Sequence, residues 1–303
     1  MNFVNSSIRK HAFLPYLSLF IGILALSLSA MFVRWADAPG PITGFYRLSI
    51  STLVLTPFFV KRCLNNCAVN RANIIFPIIG GLFTAADLTL WNTSVFYTTA
   101  SNATLLGNTA PLWVALSAWL IFRECLGKDF WLGLVLALTG ATLVMGGDFF
   151  IHPRLGIGDL MATGAGVFYA GYMLSTQRGR KYLDPLSYVW LVGVNASLAL
   201  LAINLVLGFP LTGYPTQTWL VFLGTALVSQ IIGYIAVAYA LGHLPASVVS
   251  PTMIGQPVMT TILAIPLLGE VPQTIQLLGG IVVLAGIYLV HQSYNRRNQT
   301  LKQ

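Results

Sequence analysis

Residues 100–144 read ASNATLLGNTAPLWVALSAWLIFRECLGKDFWLGLVLALTGATLV, and residues 246–290 read ASVVSPTMIGQPVMTTILAIPLLGEVPQTIQLLGGIVVLAGIYLV. The second stretch aligns with the first without a gap when the numbering is shifted by 146 positions. The informative matches are a proline, a lone glutamate and two glycines seven residues apart. The chain therefore contains an internal repeat. The matched pairs include Ala100 with Ala246, Ser101 with Ser247, Pro111 with Pro257, Glu124 with Glu270, Gly133 with Gly279, and Gly140 with Gly286.

The composition places the chain in a membrane. Of its 303 residues, 56% are hydrophobic and 8% are charged, whereas an ordinary soluble protein has about 25% charged residues. The net charge of +8 sits in short clusters rather than in a basic stripe interleaved with aromatic residues, which argues against nucleic-acid binding. The three cysteines, Cys63, Cys67 and Cys125, are expected to be reduced thiols.

The apolar stretches are long enough to cross a bilayer, because a spanning helix needs roughly 20 mostly apolar residues. Breakers and charges separate most of them, for example Lys61 with Arg62, and Gly146 with Gly147. The pattern predicts an all-α integral membrane protein with ten transmembrane helices. They are expected at about 15–33, 42–60, 73–95, 101–122, 130–147, 158–177, 186–208, 217–240, 247–268 and 273–291.

The distribution of cations predicts the orientation. With the N-terminus in the cytoplasm, thirteen lysines and arginines fall in inside segments, and only Arg34 and Arg154 fall outside. This is a strong positive-inside bias. An odd number of helices would place the C-terminal cations outside and weaken the bias. We therefore predict ten helices with both termini cytoplasmic.

Five helices per half make the second copy enter the membrane upside down. The expected segments are a cytoplasmic tail (1–14), a first repeat (15–147), an outside linker (148–157), a second repeat (158–291) and a cytoplasmic tail (292–303). Two inverted five-helix repeats (5+5) are a recurring design of secondary transporters, in which the two halves rock about a site near the midplane.

Pro111 and Pro257 are predicted to lie near the middle of the fourth and ninth helices. A mid-helix proline donates no N–H and clashes with the carbonyl four residues back, which frees the carbonyls of Gly107 and Met253. Interruptions paired in both halves are a sequence pointer to a transport site. The alternative is that both are simple packing kinks.

Polar and aromatic side chains recur at helical spacing near these prolines. Such stripes predict a central cavity lined by amides, hydroxyls and rings. The alternative is interhelical hydrogen bonding without a cavity. The candidates for the substrate path are Asp87, Trp91, Asn108, Tyr169, Tyr234 and Gln256.

Asp87 is the one acid well inside a predicted helix. A charge at that depth costs about 2.5–3.5 kcal/mol on the insertion scale, so it needs a partner, a proton or water. Two hypotheses remain open. Asp87 belongs to a substrate or proton path, or it forms a structural ion pair with Arg47, which lies several residues inside the second helix. A pair that breaks and reforms would serve both roles.

The repeated glycines lie two turns apart on the last helix of each half, namely Gly133 with Gly140 and Gly279 with Gly286. Small residues on one face allow helices to approach closely. The spacing predicts packing, within the bundle or between protomers, rather than chemistry.

The repeated pattern of Ala-Ser, Pro, Glu, Gly and Gly in 100–144 and 246–290 resembles the EamA-type family of the drug/metabolite transporter superfamily, and the resemblance extends over about 15–291. Arg47 is similar to an arginine that such repeats often carry, although the second half has no clear counterpart. The resemblance implies a 5+5 fold in a bacterial inner membrane and export, or sometimes uptake, of amino acids or related metabolites. Glu124 and Glu270 match the family pattern and are interpreted as structural.

An enzyme is disfavoured because the four histidines lie at helix ends or loops and Asp87 has no second intramembrane acid beside it. No metal site and no cofactor is expected. The favoured function is secondary transport of a small molecule through the bilayer, with a proton as a candidate coupling ion and a monomer or homodimer as the assembly. The alternatives are a channel and a solute-binding membrane protein that does not transport.

Overall fold

The computed structural model describes residues 2–66, 73–94, 97–98, 100–145, 156–269 and 272–300. Within these ranges every regular element is helical. Glu270, Arg154 and most of the expected linker at 148–157 lie outside the described residues.

The described residues of the first half of the chain form six helices. Each of the first five predicted spans overlaps at least one of them, and the predicted fourth span is divided in two. The helices are α1 (Asn2–Trp35), α2 (Gly40–Asn66), α3 (Ile75–Ser94), α4 (Ala100–Gly107), α5 (Ala110–Leu120) and α6 (Lys128–Met145).

The described residues of the second half form seven α-helices and one π-helical segment, and these elements also overlap every predicted span. The π segment (Thr225–Gly233) joins α9 to α10. The helices are α7 (Ile157–Gly179), α8 (Pro185–Val206), α9 (Thr216–Gly224), α10 (Tyr234–Leu241), α11 (Ala246–Met253), α12 (Gly255–Leu268) and α13 (Thr274–Thr300).

Local sequence explains where several helices begin and end. The Asp184 side chain caps α8 by accepting hydrogen bonds from the backbone N–H groups of Leu186 and Ser187, and Pro185 occupies the first turn, where no N–H partner is needed. Gly269 follows α12 with φ of 67°, a left-handed conformation that glycine adopts without strain.

Six stretches of the described chain are long and apolar enough to cross a membrane, and Phe13–Ser29 is a shorter apolar helix. The fold is therefore that of a multi-pass helical membrane protein, and the count of ten spans remains a prediction. The six stretches are Ile75–Ser94, Lys128–Met145, Pro185–Val206, Thr216–Leu241, Ala246–Leu267 and Thr274–Arg297.

The helices cluster into two compact units. Unit 1 comprises Met1–Ala38, Ile42–Leu82 and Ser175–Pro245, and unit 2 comprises Pro39–Pro41, Phe83–Leu174 and Ala246–Gln303. Each unit draws on both halves of the sequence. The compact units therefore do not coincide with the two halves that were expected to rock against each other.

The core of unit 2 is the contact of α6 with α13. A Cβ added at Gly133 would lie 2.7 Å from the carbonyl oxygen of Gly286, and one added at Gly140 would lie 2.7 Å from that of Gly279. Residue numbers therefore increase along α6 in the direction in which they decrease along α13, so the two helices are antiparallel. Apolar side chains surround these close approaches, including Phe130, Leu134, Ala137, Ala141, Val144, Val283 and Val290.

The core of unit 1 includes the packing of α1 on the π segment and on α10. A Cβ added at Gly22 would lie 2.7 Å from Cγ2 of Val237. The Ser18 hydroxyl donates to the Ala236 carbonyl at 2.9 Å, and the Ser229 hydroxyl donates to the Ala25 carbonyl at 3.4 Å. Small residues on α1 therefore allow close approach, while hydroxyls satisfy carbonyls away from water.

The expectation that all three cysteines are reduced is wrong for Cys63, which is disulfide-bonded. Cys125 is free and exposed. Cys67 follows Cys63 by four residues in the sequence. It lies outside the described residues.

Candidate functional site

The predicted fourth span is broken in unit 2 just before its proline. α4 ends at Gly107, a turn follows at 108–109, and α5 begins at Ala110 with Pro111 in its first turn. The first N–H groups of a helix have no intrahelical partner, so a proline in the first turn costs no hydrogen bond. The span is therefore two helices rather than one helix kinked at its middle.

Two neighbouring helices pack closely on this break. A Cβ added at Gly107 would lie 2.9 Å from Cδ1 of Trp91 on α3. A Cβ added at Gly166 on α7 would lie 3.1 Å from the Gly107 carbonyl oxygen and 2.9 Å from Oγ1 of Thr109. The backbone polar groups of the break therefore face a neighbouring helix instead of hydrocarbon, which is where interrupted backbone is tolerated.

The predicted ninth span is broken at the corresponding place. α11 ends at Met253, Ile254 forms a turn, and α12 begins at Gly255 with Pro257 in its first turn. The Ile254 N–H donates to the Pro251 carbonyl at 3.1 Å. Ile254 is the repeat equivalent of Asn108, since the two positions differ by 146. Both breaks therefore fall at matched positions of the repeat.

The candidate residues of unit 2 have different surroundings. The side-chain amide nitrogen of Asn108 donates to the carbonyl of Thr104, in the preceding helix α4, at 2.9 Å. The ring of Tyr169 lies 6.0 Å from that of Tyr172, with an interplanar angle of 13°. The structure brings Trp91 beside Gly107, next to Asn108 in the chain. Asp87 on α3 and Gln256 on α12 are both half-buried.

The remaining candidates, Arg47 and Tyr234, lie together in unit 1. Nε of Arg47 donates to Oε1 of Gln230 at 2.9 Å, and Nη1 lies 3.5 Å from Oγ of Ser29. The guanidinium carbon stands 5.3 Å from the centroid of the Tyr234 ring, a cation–π distance. The structure thus surrounds the buried arginine with an amide, a hydroxyl and a ring.

Sequence reasoning missed two parts of this cluster. Nothing in the sequence distinguishes Ser29 from the other serines of its apolar helix. The π segment reads TALVSQIIG, which has the composition of an ordinary apolar helix. π-helical turns occur frequently at functional sites. Gln230 lies inside the π segment and Tyr234 begins the next helix, so two of the three Arg47 contacts fall at this irregularity.

Glu124 has a separate environment in unit 2. Its Oε2 accepts a hydrogen bond from the Ser247 hydroxyl at 2.9 Å and lies 3.9 Å from Nη1 of Arg297. A cavity beside it has a volume of about 20 Å³ and is lined in part by Cys125 and Tyr294. That space suits one water molecule rather than a metabolite.

Broken helices, buried polar side chains and several apolar spans together define a polytopic membrane protein of the transporter class. The chain belongs to the EamA-like transporter family, whose model matches residues 13–146 and again residues 156–292.

Curated relatives agree with this assignment, and a solved structure shares the fold. The chain is 26% identical over 288 residues to an uncharacterized transporter, YdfC, of Bacillus subtilis, covering 91% of this chain and 93% of that protein. It is 26% identical over 275 residues to a protein of Streptantibioticus cattleyicolor named "Probable terminal-alkyne amino-acid exporter", covering 86% and 90% of the two chains. One crystal structure shares the fold with a TM-score of 0.75 at 17% identity, covering 91% of this chain and 96% of the other.

Proposed function

We propose that this protein is a secondary transporter that exports a small metabolite, an amino acid or a related compound, across the cell inner membrane by alternating access. The observation that carries the proposal is the pair of helix breaks at 108–109 and at Ile254. Discontinuous helices at corresponding places of two repeats are characteristic of transporter binding sites, because they expose backbone polar groups near the midplane.

The proposed topology is ten helices in two inverted repeats with both termini cytoplasmic. The two family matches, 13–146 and 156–292, support assigning one repeat to each half. The antiparallel contact of α6 with α13 supports the inversion, because these are the last helices of the two halves. The excess of cations in the inside segments supports the orientation.

The proposed path residues of unit 2 are Asp87, Trp91, Asn108, Tyr169 and Gln256, and Tyr234 is the one proposed in unit 1. Asp87 is the proposed proton carrier, because a carboxyl in a spanning helix is stable there as the neutral acid or beside a partner. The pairing of Asp87 with Arg47 remains a hypothesis.

The substrate class is supported by the relative named as an amino-acid exporter. The carboxylate, the ammonium group and the side chain of an amino acid would each contact a polar or aromatic residue among the candidates. The bilayer and the small solute are then the partners of the chain, with no role for a cofactor.

The test is a substrate screen in proteoliposomes, run with and without an imposed proton gradient. We expect saturable counterflow of at least one amino acid or amino-acid-like metabolite, absent from protein-free liposomes. Flux without saturation or counterflow would identify a channel, and saturable binding without flux would identify a solute-binding protein. Direction is tested in cells, where expression should lower the internal and raise the external concentration of the same solute.

A further inference from the structure

Arg47 is a buried charge inside a helix that is predicted to span the membrane. Its relative exposure is 9%. An arginine within a spanning helix is costly, and charged residues there pair with one another, contact backbone carbonyls or face a water-filled cavity. The partners of Arg47 therefore indicate how this charge is stabilised.

The partners that the structure gives the guanidinium are neutral. They are the Gln230 amide oxygen at 2.9 Å, the Ser29 hydroxyl at 3.5 Å and the face of the Tyr234 ring at 5.3 Å. Among the described residues no carboxylate forms a salt bridge with Arg47. The amide and hydroxyl dipoles and the aromatic ring orient the guanidinium, but they do not neutralise its positive charge.

The same contacts leave hydrogen-bonding capacity on the guanidinium. Arginine carries five N–H donors in a rigid fork. Within the described part of the chain, the bonds to Gln230 and Ser29 use one donor on Nε and one on Nη1. Three donors remain, and a guanidinium fork matches the two oxygens of a carboxylate.

The surroundings hold the fork in place before any ligand arrives. Gln230 is 2% exposed and Tyr234 is 8% exposed, so neither side chain is free to swing away. Preorganised donors in a partly dehydrated site bind an anion more strongly than the same donors in water.

We propose that Arg47 binds the carboxylate of the transported solute, with Gln230 and Tyr234 orienting its guanidinium. The inference rests on the proposed function and narrows it, since it requires a substrate with an anionic group. The solute then supplies the counter-charge that the neutral partners of Arg47 do not.

The experiment measures thermal stabilisation of the purified full-length protein by each of the twenty L-amino acids and by the matching amino-acid amides, at constant ionic strength. We expect at least one amino acid to raise the unfolding temperature. Its amide, which lacks the negative charge, should bind at least about tenfold more weakly, as expected for the loss of a charge-assisted hydrogen bond.

Three variants make the test specific to Arg47. Arg47→Gln should abolish the stabilisation. Gln230→Glu keeps the side-chain size and gives Arg47 an internal carboxylate, so the protein should fold and lose amino-acid binding. Arg296→Gln changes an exposed arginine that pairs with Asp129, and it should leave binding unchanged.

Three results would overturn the proposal: equal binding of acid and amide, no stabilisation by any amino acid, or full binding by Gln230→Glu. A fourth would be carboxylate binding that appears only in Asp87→Asn, because Asp87 would then be the counter-ion. Counterflow of a solute without a carboxylate that persists in Gln230→Glu would overturn the carboxylate site while leaving the transporter assignment intact.

Discussion

Gly133 of α6 and Gly286 of α13 lie backbone to backbone. A Cβ added at Gly133 would stand 2.7 Å from the Gly286 carbonyl oxygen, and one added at Gly286 would stand 2.6 Å from that of Gly133. Gly140 and Gly279 repeat the relationship. Adding 146 converts Gly133 to Gly279 and Gly140 to Gly286, so each contact is the image of the other. Reciprocal contacts of this kind are the signature of a twofold relation.

Gly133→Ala should therefore destabilise the protein. The new methyl would meet backbone atoms of α13, which cannot rotate away, and overpacking of this kind costs about 1–3 kcal/mol. The measurement is the unfolding midpoint of the purified protein in detergent, where we expect a clear decrease.

Gly280→Ala is the matched control on the facing helix. Its Cβ would lie 3.4 Å from Cγ1 of Val258, a side-chain contact of ordinary length. It should leave the midpoint nearly unchanged. Equal midpoints for Gly133→Ala and Gly280→Ala would show that the glycine contact does not hold α6 to α13.

Gly166→Ala should impair transport. Its methyl would lie 2.9 Å from Oγ1 of Thr109 and 3.1 Å from the Gly107 and Leu106 carbonyl oxygens, so α7 could not pack on the broken helix as it does now. Counterflow should fall severalfold in protein that still purifies as a folded species. Gly164→Ala is the control, because its Cβ would meet only the end of the Leu90 side chain, at 3.3 Å. Equal activity of the two variants would remove the break from the mechanism.

Asp184 should make the stability of the folded protein depend on pH in the acidic range. Burial raises the pKa of its carboxyl, but hydrogen bonds from Ser187 and Leu186 and the charge of Arg62, 3.1 Å away, outweigh burial and hold the pKa below its usual value. A carboxyl whose pKa is lowered by folding stabilises the protein above its unfolded pKa. That contribution is lost as the pH falls through the folded pKa.

The expected result is a decrease in the unfolding midpoint of the wild type as the pH falls below about 4, the ordinary pKa of aspartate. Asp184→Asn should show a smaller decrease, and Asp184→Ala should lower stability by about 1 kcal/mol at neutral pH through loss of the α8 cap. Asp129→Asn, in a more exposed ion pair, is the control. An unchanged acid profile in Asp184→Asn would contradict the assignment.

Asp87→Asn should change the pH dependence of transport without preventing insertion. The amide cannot exchange a proton, so flux driven by a proton gradient should be lost while substrate counterflow without a gradient persists. The measurement compares both assays across pH in proteoliposomes. The same response to the gradient in both proteins would exclude Asp87 as the proton carrier.

The internal repeat predicted more features of the structure than the amino-acid composition did. The glycine spacing predicted close helix packing, and the structure confirms it within unit 2 at Gly133 and Gly140. The matched prolines located both interruptions, but not their form, since a proline in a first turn and a proline in a kink look alike in sequence.

Other features depend on tertiary contacts that no local pattern encodes. Arg47 and Gln230 are 183 residues apart, and their hydrogen bond joins α2 to the π segment. No residue type in the sequence distinguishes the π segment, because its apolar side chains suit an α-helix equally well. Polar residues could therefore be recognised as candidates, while their partners could not.

The central claim is that one site opens alternately to the two sides of the membrane. The most direct measurement places a single cysteine at Asn108, in a variant lacking the three native cysteines, and labels it from each side of proteoliposomes with a membrane-impermeant reagent. Alternating access predicts labelling from either side, with substrate raising the rate from one side as it lowers the rate from the other. Labelling from both sides at rates that substrate leaves unchanged, or from one side only, would contradict it.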